Sequence, residues 1–172
     1  MSEQFSFGFD PPNRPDPSIW NRLFFAVLPD GETAARMEAL TDRFRRRHRL
    51  RHYPIPPERL HVSVHMLGEF AEPPPELLAA AAKVGEALRA RPFHLTFDRI
   101  CNFSGTSRKP VVLRGPEDAR IGFDAFHFAF IERMAEFGLA VDRAKIVEPH
   151  VTLIYDEKPI PETKIEPIRF RI

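Results

Sequence analysis

Two short segments of the chain place a histidine two residues before a hydroxyl side chain, within β-branched and apolar residues. They are His61-Val-Ser-Val64 and His150-Val-Thr-Leu153. In an extended strand, residues i and i+2 point to the same face, roughly 7 Å apart. Each segment can therefore present one imidazole and one hydroxyl, from Ser63 or Thr152, to a common cleft. Two proton-transfer groups and two hydrogen-bond donors are suited to opening a cyclic phosphodiester without a metal.

The two segments occupy equivalent places in two halves of the chain. Phe24 lies 37 residues before His61, and Leu113 lies 37 residues before His150. Each interval holds one predicted long helix and ends in a histidine strand. We interpret this as an internal duplication with an offset of about 89 residues. Two similar β-α-β lobes would then meet at a pseudo-twofold cleft that receives one histidine from each.

The pattern of apolar and helix-breaking residues predicts the elements that carry these segments. Asp30 is a candidate N-cap of a helix whose inner face holds Ala34, Met37 and Phe44. Gly68 is expected to end the first histidine strand. Residues 1–21 are predicted to be an irregular arm and residues 22–172 a single bilobal domain. The predicted strands cover 22–28, 61–67, 93–103, 111–113 and 147–155, with a last one beginning at 168, and the predicted helices begin near 30, 76 and 117.

Other histidines fit the pattern less well. His94 begins a third match, but it has no counterpart in the other half, and we interpret it as structural. His65 shares the predicted strand face with His61 and Ser63 and is expected to line the cleft or its rim. A metal site built from His61, His65 and His150 is disfavoured, because residues i and i+4 of a strand lie about 13 Å apart. The sequence predicts no metal site and no cofactor.

Composition limits the class of protein. The 172 residues are 43% hydrophobic and 28% charged, as in an ordinary soluble domain. A single cysteine, Cys101, excludes an internal disulfide. No apolar run approaches the roughly 18 residues of a membrane span. We therefore expect a cytoplasmic protein without a membrane partner.

Charge is nearly balanced overall but clustered locally. The formal net charge is only +1, yet six arginines fall between Arg43 and Arg51. The cluster fits a solvated helix end, where cations suit the C-terminal dipole, and it also fits a patch that faces a polyphosphate. The sequence leaves both interpretations open.

These residues together resemble the two-histidine phosphoesterase superfamily. The resemblance lies in Arg22-Leu-Phe-Phe-Ala26, Leu60-His-Val-Ser-Val-His-Met-Leu-Gly68 and His150-Val-Thr-Leu153. Among its branches the chain is most similar to the bacterial RNA 2',3'-cyclic phosphodiesterases, or 2'-5' RNA ligases (the LigT-like family). The resemblance implies an α+β fold, bilobal, with two antiparallel sheets, a central groove and helices on the outside.

The resemblance also implies an activity, which is metal-independent hydrolysis of a 2',3'-cyclic phosphate to a 2'-phosphate. The resemblance implies that His61 and His150 are the catalytic residues. We assign His61 as the proton donor and His150 as the proton acceptor, but the pseudo-symmetry of the two motifs leaves the opposite assignment open, and reversal of the reaction would give 2'-5' ligation. Ser63 and Thr152 would bind the phosphate. The expected partner is RNA with a cyclic phosphate end, or a small cyclic nucleotide. We expect the protein to be a monomer.

The family often has an arginine two residues after the second motif, where this chain has Tyr155. That phosphate contact is lost or is supplied by another arginine. Phe25, His65 and Tyr155 are candidate substrate-binding residues, although for Phe25 core packing is the favoured interpretation. Two other functions stay open: a phosphodiesterase acting on another cyclic or 2'-5'-linked nucleotide, and a non-catalytic RNA-binding module.

Overall fold

The computed structural model describes residues 21–103, 109–142 and 147–172. The predicted N-terminal arm, apart from Asn21, and most of the polar segment 104–109 lie outside these ranges. Within them, six strands and three α-helices follow one another along the chain. The strands are β1 (Asn21–Val27), β2 (Val62–Phe70), β3 (His94–Asn102), β4 (Lys109–Arg114), β5 (His150–Asp156) and β6 (Thr163–Arg171), and the helices are α1 (Gly31–His48), α2 (Pro75–Ala87) and α3 (Ile121–Glu136).

The described strands form one antiparallel sheet in the order β1-β2-β5-β4-β3-β6. The α+β class is therefore confirmed. The two histidine strands, β2 and β5, are neighbours at the centre, and one registered pair, Val62 with Val151, joins them. The expected division into two sheets is not confirmed, because this pair makes the six strands continuous.

The join between the two halves is narrow because β2 and β5 are antiparallel and overlap only at their first residues. The segment before β2 lies beside the following part of β5: Pro54 pairs with Ile154, and the Ile55 amide donates to the Leu153 carbonyl at 2.7 Å. The sheet thus has a waist at Val62 and Val151, and the ends of both motifs lie beside it.

One face of the sheet is covered by helices and forms the core. α1 packs against β5 and β6, and α2 lies against α3. Phe130 of α3 meets Phe25 of β1 edge to face, with ring centroids 4.7 Å apart. The alternate strand residues that join this core include Val62, Val64, Val151 and Leu153, all buried. By alternation, the motif histidines and hydroxyls lie on the opposite face.

The start of α1 follows the sequence prediction. The Asp30 carboxylate accepts a hydrogen bond from the Thr33 amide at 2.8 Å, which satisfies one of the free amides of the first turn. Ala34, Met37 and Phe44 are buried on the inner face. Among the described residues, no helix is both long and apolar enough to cross a bilayer.

Two strand boundaries differ from prediction. β2 continues through Gly68, because that glycine adopts a φ of 148° where Leu67 is an extra residue in the ladder with β1. β6 begins at Thr163, five residues before the predicted start. It contains Pro167, which a strand tolerates at the edge of a sheet. The third predicted helix starts as a 3-10 turn, Glu117–Arg120, before α3.

Candidate active site

The four motif side chains share the open face of the sheet around the waist. Because β2 and β5 are antiparallel and Val62 pairs with Val151, His61 lies opposite Thr152 and Ser63 lies opposite His150. Each imidazole therefore faces the hydroxyl of the other strand. The two histidines are diagonal neighbours, whose Cβ atoms such a register separates by roughly 7–8 Å.

The two imidazoles are fixed by the same contact. The Nδ1 atom of His61 lies 2.8 Å from the Arg59 carbonyl, and that of His150 lies 2.8 Å from the Glu148 carbonyl. A carbonyl oxygen can only accept, so Nδ1 carries the proton in both rings. In the neutral ring Nε2 is then the basic nitrogen, and it can exchange a proton with a substrate.

A phenylalanine ring lies against each histidine. Phe24 of β1 approaches His61 with ring centroids 5.1 Å apart, and Phe103 approaches His150 at 4.5 Å. Both pairs are tilted rather than parallel. The carbonyl on one side and the aromatic ring on the other restrict the orientation of each imidazole.

The surroundings of the two imidazoles differ in one respect. Burial, the positive charge of Arg114 and the neighbouring His61 lower the pKa of His150 from 6.5 to about 4. His150 is thus neutral at neutral pH, with Nε2 ready to accept a proton. The ring of His61 is the less enclosed of the two.

Arg114 is the cationic group beside His150 that the sequence did not identify. In the ladder between β4 and β5 it lies directly opposite His150. Its guanidinium forms an ion pair with Glu148, and its side chain stays 33% exposed. The predicted strand ends at Leu113, one residue short of Arg114, so no sequence signal placed this arginine in the cleft.

The motif hydroxyls are not used by the fold. Ser63 and Thr152 are half-buried, and in the described ranges neither hydroxyl donates to a protein acceptor. Both O–H groups are therefore available to a ligand at the waist. Together with Arg114 they give the site three donors on the side of the sheet that carries both histidines.

A bulge at the fourth motif position explains where the remaining candidates lie. Val64 is an extra residue in β2 against β1, and Leu153 is an extra residue in β5 against β4. Each bulge reverses the alternation that follows it. His65 is therefore turned to the core face, 8% exposed and beside His127 of α3, instead of sharing the face of His61 as expected. Tyr155 is turned outward and is 50% exposed.

The first bulge also decides which of two neighbouring phenylalanines faces the motif histidines. Phe25 pairs with His65 and packs in the core against Phe130. Phe24 pairs with the exposed Met66 and reaches the His61 ring. Phe24 thus lies at the site, and Phe25 does not.

The third motif match lies away from the waist. His94 begins β3, where it pairs with Arg171 of the edge strand and is exposed. One strand, β4, lies between β3 and the histidine strand β5. Within the described parts of the chain, no group of three or more histidine, cysteine or acidic side chains is arranged to hold a metal ion.

A comparison with known protein families shows which family the chain belongs to. A model described as the 2'-5' RNA ligase superfamily matches residues 28–170. The chain belongs to the 2'-5' RNA ligase superfamily. The resemblance drawn from the two motifs is thereby confirmed, and membership of the 2'-5' RNA ligase superfamily supports an enzyme that acts on phosphodiester bonds of RNA or nucleotides.

Solved structures share the fold at low sequence identity. TT0787 of Thermus thermophilus is 24% identical, with a TM-score of 0.60 over 88% of this chain and 84% of that one. A structure described as a phosphoesterase is 20% identical, with a TM-score of 0.60 over 88% and 83%. E. coli LigT complexed with 3'-AMP is 22% identical, with a TM-score of 0.58 over 88% and 83%. No curated protein sequence matches the chain.

Proposed function

We propose that the protein hydrolyses 2',3'-cyclic phosphate ends of RNA or nucleotides to 2'-phosphates, with His61 and His150 as the acid and the base. The observation that carries the proposal is the paired arrangement at the waist. Two imidazoles with the same tautomer lie diagonally across adjacent strands, and each faces the hydroxyl of the other strand. Hydrolysis of a phosphodiester needs one proton removed and one delivered on opposite sides of the phosphorus atom.

The unequal environments of the histidines favour one direction of proton flow. His150, with its pKa lowered to about 4, is neutral and accepts a proton at Nε2 from the attacking water. His61, protonated at Nε2, delivers its proton to the departing ribose 3'-oxygen. Water oxygen bonds to phosphorus as the bond to the 3'-oxygen breaks, which leaves a 2'-phosphate. Each proton transfer contributes about 10²–10⁴-fold to such a reaction.

Three donors stabilise the charge that grows on the phosphate. The hydroxyls of Ser63 and Thr152 donate to the non-bridging oxygens. Arg114 adds a guanidinium, paired with Glu148, next to His150, and we infer that it takes the place of the cation that the family often has two residues after the second motif. Donors fixed before the reaction are effective because they need no reorganisation as the charge develops.

The related structures are consistent with a phosphate-binding cleft. E. coli LigT is described in complexes with 3'-AMP, NADP+, ATP and phosphate. All four ligands carry phosphate groups, and three are adenine nucleotides. We infer that the cleft of this chain also accepts a nucleotide phosphate. That the phosphate is a terminal cyclic one is part of the proposal and comes from the resemblance of the two motifs.

The test is hydrolysis of an RNA oligonucleotide ending in a 2',3'-cyclic phosphate, in the presence of EDTA, with the product phosphate located by NMR. Wild type is compared with His61→Gln and His150→Gln. The matched control is His94→Gln, which removes the histidine of the third motif match. Production of a 2'-phosphate that is lost in the first two variants and kept in the third supports the proposal.

Two results would contradict it. Activity retained in both His61→Gln and His150→Gln would show that the waist is not the reaction centre. Turnover of other cyclic or linear 2'-5' nucleotides in place of this substrate would keep the site but replace the reaction.

A further inference from the structure

The two tyrosines of the chain are exposed and lie on adjacent backbone segments. Pro54 pairs with Ile154 in antiparallel register, so Tyr53 falls opposite Tyr155. Tyr53 is 83% exposed and Tyr155 is 50% exposed. Tyr155 lies only three residues beyond Thr152, which is roughly 10 Å along a strand. Tyr155 is thus the tyrosine nearer to the proposed phosphate position along β5.

Basic side chains lie over Tyr53 and in the chain segment that leads to it. The guanidinium of Arg45 lies over the Tyr53 ring, 5.1 Å from its centroid. Arg47, Arg49 and Arg51 are exposed, and no carboxylate of the described residues is within ion-pair distance of them. These charges come from the arginine-rich end of α1 and the segment that follows it. We call the residues Arg45, Arg47, Arg49, Arg51, Tyr53 and Tyr155 the tyrosine–arginine surface.

The fold holds this surface rigidly against the catalytic strand. Asp156, the residue after Tyr155, is buried, and its carboxylate accepts hydrogen bonds from the Arg51 and His52 amides at 2.8 and 3.2 Å. The Arg45 side chain donates to the His52 carbonyl at 2.9 Å. The two residues before Tyr53 are therefore tied to both β5 and α1. A loop used only to connect α1 to β2 has no need of an exposed aromatic ring.

We propose that the tyrosine–arginine surface binds the single-stranded RNA that precedes the cyclic phosphate, a conclusion that rests on the proposed function and deepens it. Exposed aromatic rings stack on unpaired bases, and nearby guanidinium groups neutralise the phosphates between them. The substrate is accordingly an oligonucleotide rather than a cyclic mononucleotide. A terminal nucleotide occupies the waist, and the nucleotides before it pass over Tyr155 and Tyr53.

A solvated helix end explains the arginines but not the tyrosines. Cations near the C-terminus of α1 suit its dipole wherever their side chains point. Two exposed aromatic rings on adjacent segments, near the proposed phosphate position, have no such role. Aromatic rings interleaved with unpaired cations are typical of surfaces that bind single strands.

The experiment compares kcat/KM for a single-stranded oligonucleotide ending in a 2',3'-cyclic phosphate with kcat/KM for the same terminal nucleotide as a cyclic mononucleotide. We expect the oligonucleotide to be preferred. Tyr53→Ala should lower the oligonucleotide-to-mononucleotide ratio by about 5- to 100-fold, the effect of losing one stacked base. Tyr53→Phe keeps the ring and should keep the ratio. Circular dichroism checks that each variant is folded.

A second comparison tests the charges. Arg47→Gln/Arg49→Gln should reduce the ratio and flatten its dependence on salt concentration, since fewer counterions are released on binding. Annealing a complementary strand to the oligonucleotide should abolish the preference, because paired bases cannot stack on the tyrosines.

The outcomes separate this inference from the proposed function. Equal kcat/KM for the two substrates, or a ratio unchanged by Tyr53→Ala, overturns the inference while hydrolysis itself stands. If neither substrate is hydrolysed, the proposed function fails, and the surface is tested by fluorescence anisotropy with an oligonucleotide ending in a 3'-hydroxyl. Weaker binding by Tyr53→Ala than by Tyr53→Phe then supports the surface, and equal binding by both overturns it.

Discussion

Arg114 lies directly opposite His150 in the ladder between β4 and β5, and its charge is one of the causes that keep the His150 imidazole neutral. Glu148 connects the two residues, because its carboxylate pairs with Arg114 and its carbonyl accepts from His150. The position of the cation and the tautomer of the imidazole thus depend on the same short segment before β5.

Arg114→Gln should lower kcat/KM on a cyclic phosphate by about 10- to 100-fold, the range for loss of one charge-assisted hydrogen bond. Arg114→Lys should recover part of the loss, since it restores the charge but not the planar fork. Steady-state kinetics measure both. The control is Arg22→Gln, which removes an exposed arginine paired with Glu69 away from the waist. Equal effects at positions 22 and 114 would remove Arg114 from the site.

The pH profile should report the low pKa of His150. In the free enzyme, kcat/KM should fall on the acid side only as pH approaches about 4, because His150 stays neutral above that value. A fall centred near 6.5 would assign the base to a group with an ordinary imidazole pKa. In Arg114→Gln the pKa of His150 should rise, since a repelling charge is lost. NMR titration of the ring carbons measures this shift directly.

Stability should depend on pH through the same group. The folded pKa of His150 is below its unfolded value near 6.5, so between about 4 and 6.5 the unfolded chain binds more protons and stability rises with pH. The linked stability is fully present above 6.5, and the amount lost as pH falls through 4 is on the order of 3 kcal/mol. Urea unfolding should show a smaller loss in His150→Gln. The same slope in wild type and variant would assign it to other groups.

His65 should matter for packing rather than for turnover. The bulge at Val64 places it on the core face beside α3. His65→Gln should therefore leave kcat/KM within about threefold of wild type and lower the free energy of unfolding by about 1–3 kcal/mol, as for other changes to buried polar groups. His61→Gln is the opposite case, with lost activity and little change in stability. A large fall in kcat at unchanged stability in His65→Gln would show that its side chain reaches the cleft.

Asp156 should anchor the segment after α1 to β5. Burial raises the pKa of its carboxyl, but hydrogen bonds from the amides of Lys158, His52 and Arg51 outweigh this and lower it below its usual range. The stabilisation is present above the unfolded pKa near 3.9 and is lost as pH falls through the lower folded value. Asp156→Asn should cost about 2–4 kcal/mol in urea unfolding and speed hydrogen exchange at the Arg51 and His52 amides. Asp118→Asn, the same change at an exposed position, is the control.

Local signals in the sequence predicted much of the fold. The Asp30 cap, the buried face of α1 and the two histidine strands all depend on residues close together in the chain. The spacing of His61 and His150 also predicted that they would meet. These features follow from capping, periodicity and the matched spacing of the two motifs, which can be read without knowing the partner strands.

What the sequence missed depends on pairing between distant strands. Strict alternation predicts that His65 shares a face with His61, and only the ladder with β1 shows Val64 to be an extra residue. The same ladder brings Phe24 to the cleft in place of Phe25. Arg114 reaches His150 because β4 and β5 are neighbours in a particular register. Register is set by the whole sheet and is not encoded in any one segment.

The unequal enclosure of the two imidazoles gives a site built from two matching motifs a polarity. Two matching motifs alone would form a symmetric centre, able to pass a proton equally well either way across a bound phosphate. Seating one ring deeper, next to a guanidinium, makes the two ends of that path inequivalent. To reverse the proposed roles of proton donor and proton acceptor, the residues around the two histidines would have to be exchanged, and not the histidines themselves.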